Sequence, residues 1–225
     1  MNLANALTVG RILVAPLVAW FPFSPSWIVR LAGFGLFLAA AITDYWDGRI
    51  ARSQNIVTNL GKLLDPLADK MLLVATLVPI WMLQRQPPAG SLVPDFDFVT
   101  PMGNAGLPLW ALLVVLGREL LMTIFRQLAS RRGTIIAAIG PAKWKTGFQW
   151  TWVGAAFFWF AAVTAAYRYG WVGQGPWEAF ARLNGAIGVV TMWAAVALTL
   201  YSLGLYVHRY GGVLIGRGPA SNSRP

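Results

Sequence analysis

The chain has 225 residues, of which 57% are hydrophobic and only 12% charged, about half the charged fraction of a soluble domain. Its apolar residues fall in continuous runs of the length that crosses a bilayer as helix, about 20 residues, which excludes a soluble domain and argues against a membrane β-barrel. The formal charge of +10, from 18 basic and 8 acidic residues, reads as basic loops held against an anionic leaflet, so no nucleic-acid partner is expected.

In chain order, residues 1–10 are expected to form a short helix or arm lying on the membrane surface. No cleavable signal peptide is recognisable, because Arg11 opens a segment that runs on through Trp20. Six transmembrane helices follow, at about Ile12–Val29, Leu31–Arg52, Leu60–Leu83, Leu107–Ala129, Trp144–Ala166 and Leu183–Val207. The expected fold is therefore all-α: a polytopic membrane protein with six transmembrane helices and a short N-terminal interfacial helix. Residues 1–215 read as a single domain and 216–225 as a disordered tail. The stretch Gln84–Gly106, rich in Pro and Gly and carrying Asp95 and Asp97, reads as a solvated outer loop. Trp20, Trp27, Trp81 and Trp171 fall near span ends, where tryptophan anchors helices at the interface. With no cysteine and only His208 as histidine, thiolate and multi-histidine metal sites are excluded.

Basic residues set the orientation. With the N-terminus inside, Arg11, Arg49, Arg52, Lys62, Lys70, Arg126, Arg131, Arg132, Lys143, Lys145, Arg209, Arg217 and Arg224 face the cytoplasm. Arg30, Arg85, Arg168 and Arg182 face outward, and Arg118 lies within the fourth span. This is a clear positive-inside bias.

Ionisable residues in spans are costly and mark functional sites. Asp44 and Asp47, three apart, share one face of the second helix; Asp65 and Asp69, four apart, share one face of the third. Ser53–Leu60 is short and polar enough to turn the chain back, so the two pairs can face each other at the cytoplasmic ends. Four carboxylates at close range repel. Capping or pairing with Arg and Lys could answer one of them, but two divalent metals would balance all four. Hard oxygen ligands suit Mg²⁺ or Mn²⁺, and paired hard metals recur in phosphoryl substitution. A divalent-cation path through the membrane is the rival reading of the same residues.

The pattern Asp44-x-x-Asp47-Gly48-x-x-Ala51-Arg52, eight residues, then Gly61-x-x-x-Asp65-x-x-x-Asp69 resembles the signature of the CDP-alcohol phosphotransferase family. The resemblance implies a six-helix membrane fold, usually a homodimer, that transfers a substituted phosphoryl group from a CDP-linked lipid to an alcohol with release of CMP. It implies Asp44, Asp47, Asp65 and Asp69 as metal ligands, with Asp69 also the catalytic base. It implies Gly48, Ala51 and Arg52 as the CDP-lipid site, joined by the Thr58 hydroxyl. Asn5, Thr8 and Arg11 read either as further contacts to the cytidine or lipid head, or as surface anchoring.

Gly117-Arg118-Glu119, Arg126, Lys143-Trp144-Lys145-Thr146, Gln149 and the opening Asn2–Thr8 resemble the branch of this family that uses glycerol 3-phosphate. Ala142 and Ala4 stand where the branch often has Gly and Pro. Arg118 and Arg126 are eight apart on one face of the fourth helix, and Lys143 and Lys145 open the fifth. Together they can form a basic pocket for an acceptor that carries its own phosphate. Membrane anchoring explains the two lysines as well, but Arg118, inside a span, needs an internal partner. Glu119, adjacent to Arg118, points elsewhere on the helix and reads as a packing or salt-bridge residue. The implied substrates are CDP-diacylglycerol and glycerol 3-phosphate, in a bacterial inner membrane among membrane lipids, with the active site facing the cytoplasm. Phosphatidylglycerol and inositol phosphate are the alternative acceptors.

Overall fold

The computed structural model describes residues 3–53, 59–85, 95–131 and 140–214, with side chains described for 6–44, 64, 66–85, 95–128 and 144–208. Six α-helices dominate: α1 (Leu3–Trp20), α2 (Trp27–Ser53), α3 (Asn59–Leu83), α4 (Leu109–Arg131), α5 (Gly140–Tyr169) and α6 (Gly175–Leu214). The all-α polytopic architecture expected from composition is present. Among the described residues, five helices are long and apolar enough to cross a membrane, over Ala6–Phe23, Trp27–Asp44, Pro66–Leu83, Trp144–Tyr169 and Gly175–His208. In α4 the charges of Arg118, Glu119 and Arg126 interrupt the apolar run. The chain is an integral membrane protein.

The last helix, Gly175–Leu214, extends beyond the expected Leu183–Val207 at both ends, and two N-terminal boundaries also differ from the sequence expectation. There is no separate interfacial helix: residues 3–20 are one continuous α-helix, so Arg11 sits at its middle. The first span does not run to Val29. The chain leaves α1 at Trp20, makes a 3-10 turn at Phe21–Phe23 and re-enters helix at Trp27. Pro22 lies inside this turn and Pro25 follows it, and each lacks the N–H that a continuing helix needs. Arg30 closes the corner. Its Nε donates to the Ser24 carbonyl (2.6 Å), and its Nη1 donates to the Thr164 hydroxyl and the Phe160 carbonyl of α5.

The same contacts fix the register of α2 against α5. Arg30 meets Thr164, and Phe37 packs on Trp150 and Phe157. These helices are therefore antiparallel, and continuing the register puts Asp44 at the height of Lys145. The bundle core around them holds Phe37, Trp152, Phe157, Trp159 and Phe160, all at 2% exposure or less. Tryptophan thus serves the bundle interior as well as its ends, where Trp20 and Trp171 remain exposed.

The stretch after α3 is not simply a solvated loop. Residues Phe98–Thr100 (β1) and Gly103–Ala105 (β2) pair as an antiparallel hairpin. It is seated in the bundle: Phe96 and Phe98 are buried, and β1 lies against α6. Two glycines of α6 make the seat. A Cβ on Gly188 would strike the Phe98 ring, and one on Gly185 would collide with the Val99 carbonyl oxygen. The Gln84 side chain closes the base, donating to the Phe96 carbonyl (3.2 Å) and accepting the Leu107 N–H (2.9 Å). The Arg30 guanidinium lies 4.4 Å from the Phe96 ring centroid, a cation–π contact.

Within the hairpin, Asp95 accepts the Asp97 N–H (2.9 Å) and the Asn104 amide (2.7 Å). Asp97 is half-buried against Gly106, and burial, reinforced by the Asp95 charge, raises its carboxyl to about 6. A raised acid pKa means that the fold favours the neutral form. Between about pH 4 and 6 the folded state then holds more protons than the unfolded one, so this group's stability is lost as pH rises through that window. Asp97→Asn should remove that loss. Its thermal midpoint should match the wild type near pH 4 and exceed it at pH 7; a constant gap across pH would contradict this account.

Candidate active site

Three helices converge on one guanidinium. Arg11, at 4% exposure, reaches from α1, and its Nη1 donates both to Asp44 Oδ1 of α2 and to Asp69 Oδ1 of α3 (3.0 Å to the latter). The side chains of Asp44 and Asp69 are 36% and 55% exposed, so the carboxylates open to the end of the bundle while the guanidinium lies behind them. Thr8, one turn before Arg11, is buried on the same helix. The α2 and α3 carboxylates thus come to one place. They are hard oxygen donors already gathered on a cation, and such a set fits a divalent metal ion. Asp47, Gly48, Ala51 and Arg52 stand on the last turns of α2, and Asp65 stands one turn before Asp69 on α3. The side chains of these residues and of Asn5 lie outside the described residues, as does Thr58 altogether.

Arg11 is the residue that sequence reasoning misplaced. Read as the inner edge of a span, it was either a contact to the cytidine or lipid head or a surface anchor, and its burial excludes the anchor. Once α1 starts at Leu3, Arg11 is a cation in mid-helix, and such a residue demands a buried partner.

A second cluster joins the other three helices. Glu119 of α4 accepts from Arg118 Nη1 (2.7 Å) and from Lys145 Nζ of α5. Arg118 Nη2 donates to the Ser202 hydroxyl of α6 (3.1 Å), and its guanidinium lies 5.9 Å from the Tyr206 ring centroid. Arg118 and Lys145 are both at 4% exposure. The internal partner that Arg118 requires is its own neighbour, Glu119. That residue does not point away: successive helix positions diverge, but two long side chains bend to meet. Arg126, two turns further along α4, is exposed, and its charge acts on Lys145. Lys143 opens α5, with its side chain outside the described residues. One turn beyond Lys145, Gln149 is buried at 5%, and its Oε1 finds no hydrogen-bond partner among the described residues. The α2–α5 register brings this basic cluster to the height of Asp44.

Comparison with known proteins shows the family. The sequence model of the CDP-alcohol phosphatidyltransferase family matches residues 1–201. The chain belongs to the CDP-alcohol phosphatidyltransferase family. Members of this family generally use divalent metal ions. The chain is similar to a CDP-diacylglycerol--glycerol-3-phosphate 3-phosphatidyltransferase of Rickettsia bellii, 44% identical over 148 residues that cover 66% of this chain and 70% of that protein. A protein of the same name from Bacillus subtilis is 33% identical over 160 residues, 66% of this chain and 72% of its own length. A cardiolipin synthase (CMP-forming) of Oryza sativa subsp. japonica is 35% identical over 156 residues, 67% of this chain but only 44% of the rice protein.

Glu119 is the anion shared by two buried cations. Glu119→Gln should lower stability by about 3–5 kcal/mol, the cost of leaving buried charge uncompensated. Thermal unfolding of the purified protein should show the drop, and adding Lys145→Met to that variant should recover part of it. No recovery would mean that Glu119 acts through packing instead of charge.

Proposed function

We propose that this chain transfers the phosphatidyl group of CDP-diacylglycerol to glycerol 3-phosphate, giving phosphatidylglycerophosphate and CMP. The observation that carries the reading is the pairing, at one height of the bundle, of a carboxylate cluster with a net-positive cluster. Arg118, Lys145 and Arg126 carry three positive charges against the one negative charge of Glu119. The surplus suits a phosphate dianion, so the acceptor's phosphate is held there by Arg118, Arg126, Lys143 and Lys145.

Asp44, Asp47, Asp65 and Asp69 hold two divalent ions, Mg²⁺ or Mn²⁺. When bound, these ions neutralise the diphosphate and the developing charge on the entering and leaving oxygens. Gly48, Ala51, Arg52 and Thr58, with Asn5 and Thr8, receive the CDP-lipid. Asp69 takes the proton of the glycerol 1-hydroxyl as its oxygen attacks the phosphorus that carries diacylglycerol. An O–P bond forms there, the P–O bond to CMP breaks, and CMP leaves. Residues 1–215 act as one membrane domain, in a homodimer, in the bacterial inner membrane. The positive-inside bias supports a cytoplasmic site.

The similarity to a cardiolipin synthase supports a second reading, in which phosphatidylglycerol is the acceptor. The carboxylates of α2 and α3 come to one place instead of lining a route through the bundle, which counts against a cation path. The deciding experiment gives the purified protein CDP-diacylglycerol and metal, then glycerol 3-phosphate, phosphatidylglycerol, inositol phosphate or serine separately, and measures CMP release. Release with glycerol 3-phosphate alone is expected, and release only with another acceptor would overturn the reading. Asp69→Asn should abolish turnover while retaining CDP-lipid binding; normal turnover would exclude it as the base.

A further inference from the structure

The position of Arg11 raises a question that the reaction above does not answer. A buried guanidinium occupies the place where the α2 and α3 carboxylates meet, and divalent ions are assigned to the same carboxylates. One nitrogen, Nη1, serves both Oδ1 atoms, so a single positive charge draws together two anions that would otherwise repel. The guanidinium comes from within the bundle, at 3% side-chain exposure, while the carboxylates remain open on the other side.

We propose that Arg11 is a built-in counter-cation: it gathers Asp44 and Asp69 while no divalent ion is bound, and divalent ions bind in competition with it. The inference rests on the reading that these carboxylates are metal ligands. A divalent ion brings two charges to oxygens that Arg11 already holds with one, and two cations sharing the same oxygens repel each other. Arg11 has somewhere to go. A groove of about 200 Å³ lies between α1 and α2 beside it, lined by Ala6, Leu7, Gly10, Val14, Ala39 and Thr43 among others. Its lining is almost wholly apolar and offers a displaced charge little in exchange for two carboxylates. Displacement is therefore uphill, and it is felt as weaker metal binding. In return the metal-free protein keeps α1, α2 and α3 tied together.

The opposite possibility is equally concrete. If Arg11 only orients the carboxylates and leaves their other oxygens to the metal, removing it would loosen the ligands and weaken binding. The sign of the effect separates the two.

The test uses the full-length protein in detergent, with Mn²⁺ alone as probe and no nucleotide, the bound fraction being read from the loss of the free Mn²⁺ resonance. Arg11→Gln should bind Mn²⁺ at least tenfold more tightly than the wild type, and Arg11→Lys, which keeps the charge with a single shorter arm, a few-fold more tightly. Without Mn²⁺ the thermal midpoint of Arg11→Gln should fall below that of the wild type; saturating Mn²⁺ should close the gap. Arg85→Gln removes an exposed cation that stacks on Trp81 at the far end of α3 and should leave the Mn²⁺ midpoint unchanged. Asp44→Asn should abolish or greatly weaken binding. Wild-type or weaker affinity in Arg11→Gln, with binding lost in Asp44→Asn, overturns this proposal and leaves the metal site standing. Wild-type affinity in Asp44→Asn overturns the metal site itself, and this proposal with it. If Arg11→Gln cannot be purified, Arg11→Lys decides: affinity no tighter than wild type overturns the proposal.

Discussion

An ionised group cannot stay in an apolar helical bundle unless an opposite charge or several strong dipoles reach it. Every buried charge described in this protein obeys that constraint, and each does so by joining helices. Arg11 ties α1 to α2 and α3 through Asp44 and Asp69. Glu119 and Arg118 tie α4 to α5 and α6 through Lys145 and Ser202. Arg30 ties the corner before α2 to α5 and to the hairpin. The first two clusters divide the bundle into two trios of helices, one centred on carboxylates and one on cations. The α2–α5 register sets them at the same height. Groups that would destabilise an apolar core one by one thus hold it in register.

The division also suits the chemistry assigned to it. A reaction between a diphosphate-bearing lipid and a second phosphate must hold two anions close together, and they repel. In the proposed reaction, separate positive provisions on separate helices would answer that difficulty: metal ions at the α2 and α3 carboxylates for one anion, and the surplus of Arg118, Lys145 and Arg126 for the other. The two provisions can also be altered independently.

Part of this was legible in the sequence. The spacing of the aspartates predicted that the α2 and α3 carboxylates face each other, and Asp44 and Asp69 do meet, on Arg11, while the side chains of Asp47 and Asp65 lie outside the described residues. Arg118, a charge in an apolar helix, announced a buried partner. The parts that escaped have physical causes. Residues 3–10 contain Asn, Thr and Gly, so their low hydropathy hid the first turns of α1, and with them the true depth of Arg11. The corner at Phe21–Phe23 is rich in Phe, so hydropathy ran straight over prolines that end the helix. Glu119 was read as a packing or salt-bridge residue, and it does form salt bridges, but its pairing with Arg118 was missed because neighbours on a helix diverge by about 100°, a rule for Cβ directions that long flexible side chains escape. The hairpin could not be read from its own residues, since its seat is two glycines nearly ninety positions away in α6.

That seat has a bearing on how the chain is assembled. Phe96 and Phe98 emerge from the ribosome well before Gly185 and Gly188, and until α6 is inserted the surface that buries them does not exist. The residues of the hairpin must therefore wait, undocked, until it is. The arrival of the last helix completes their seat. The last helix acts as a latch on a hairpin made three helices earlier, so correct docking of the hairpin reports that the whole chain has been threaded.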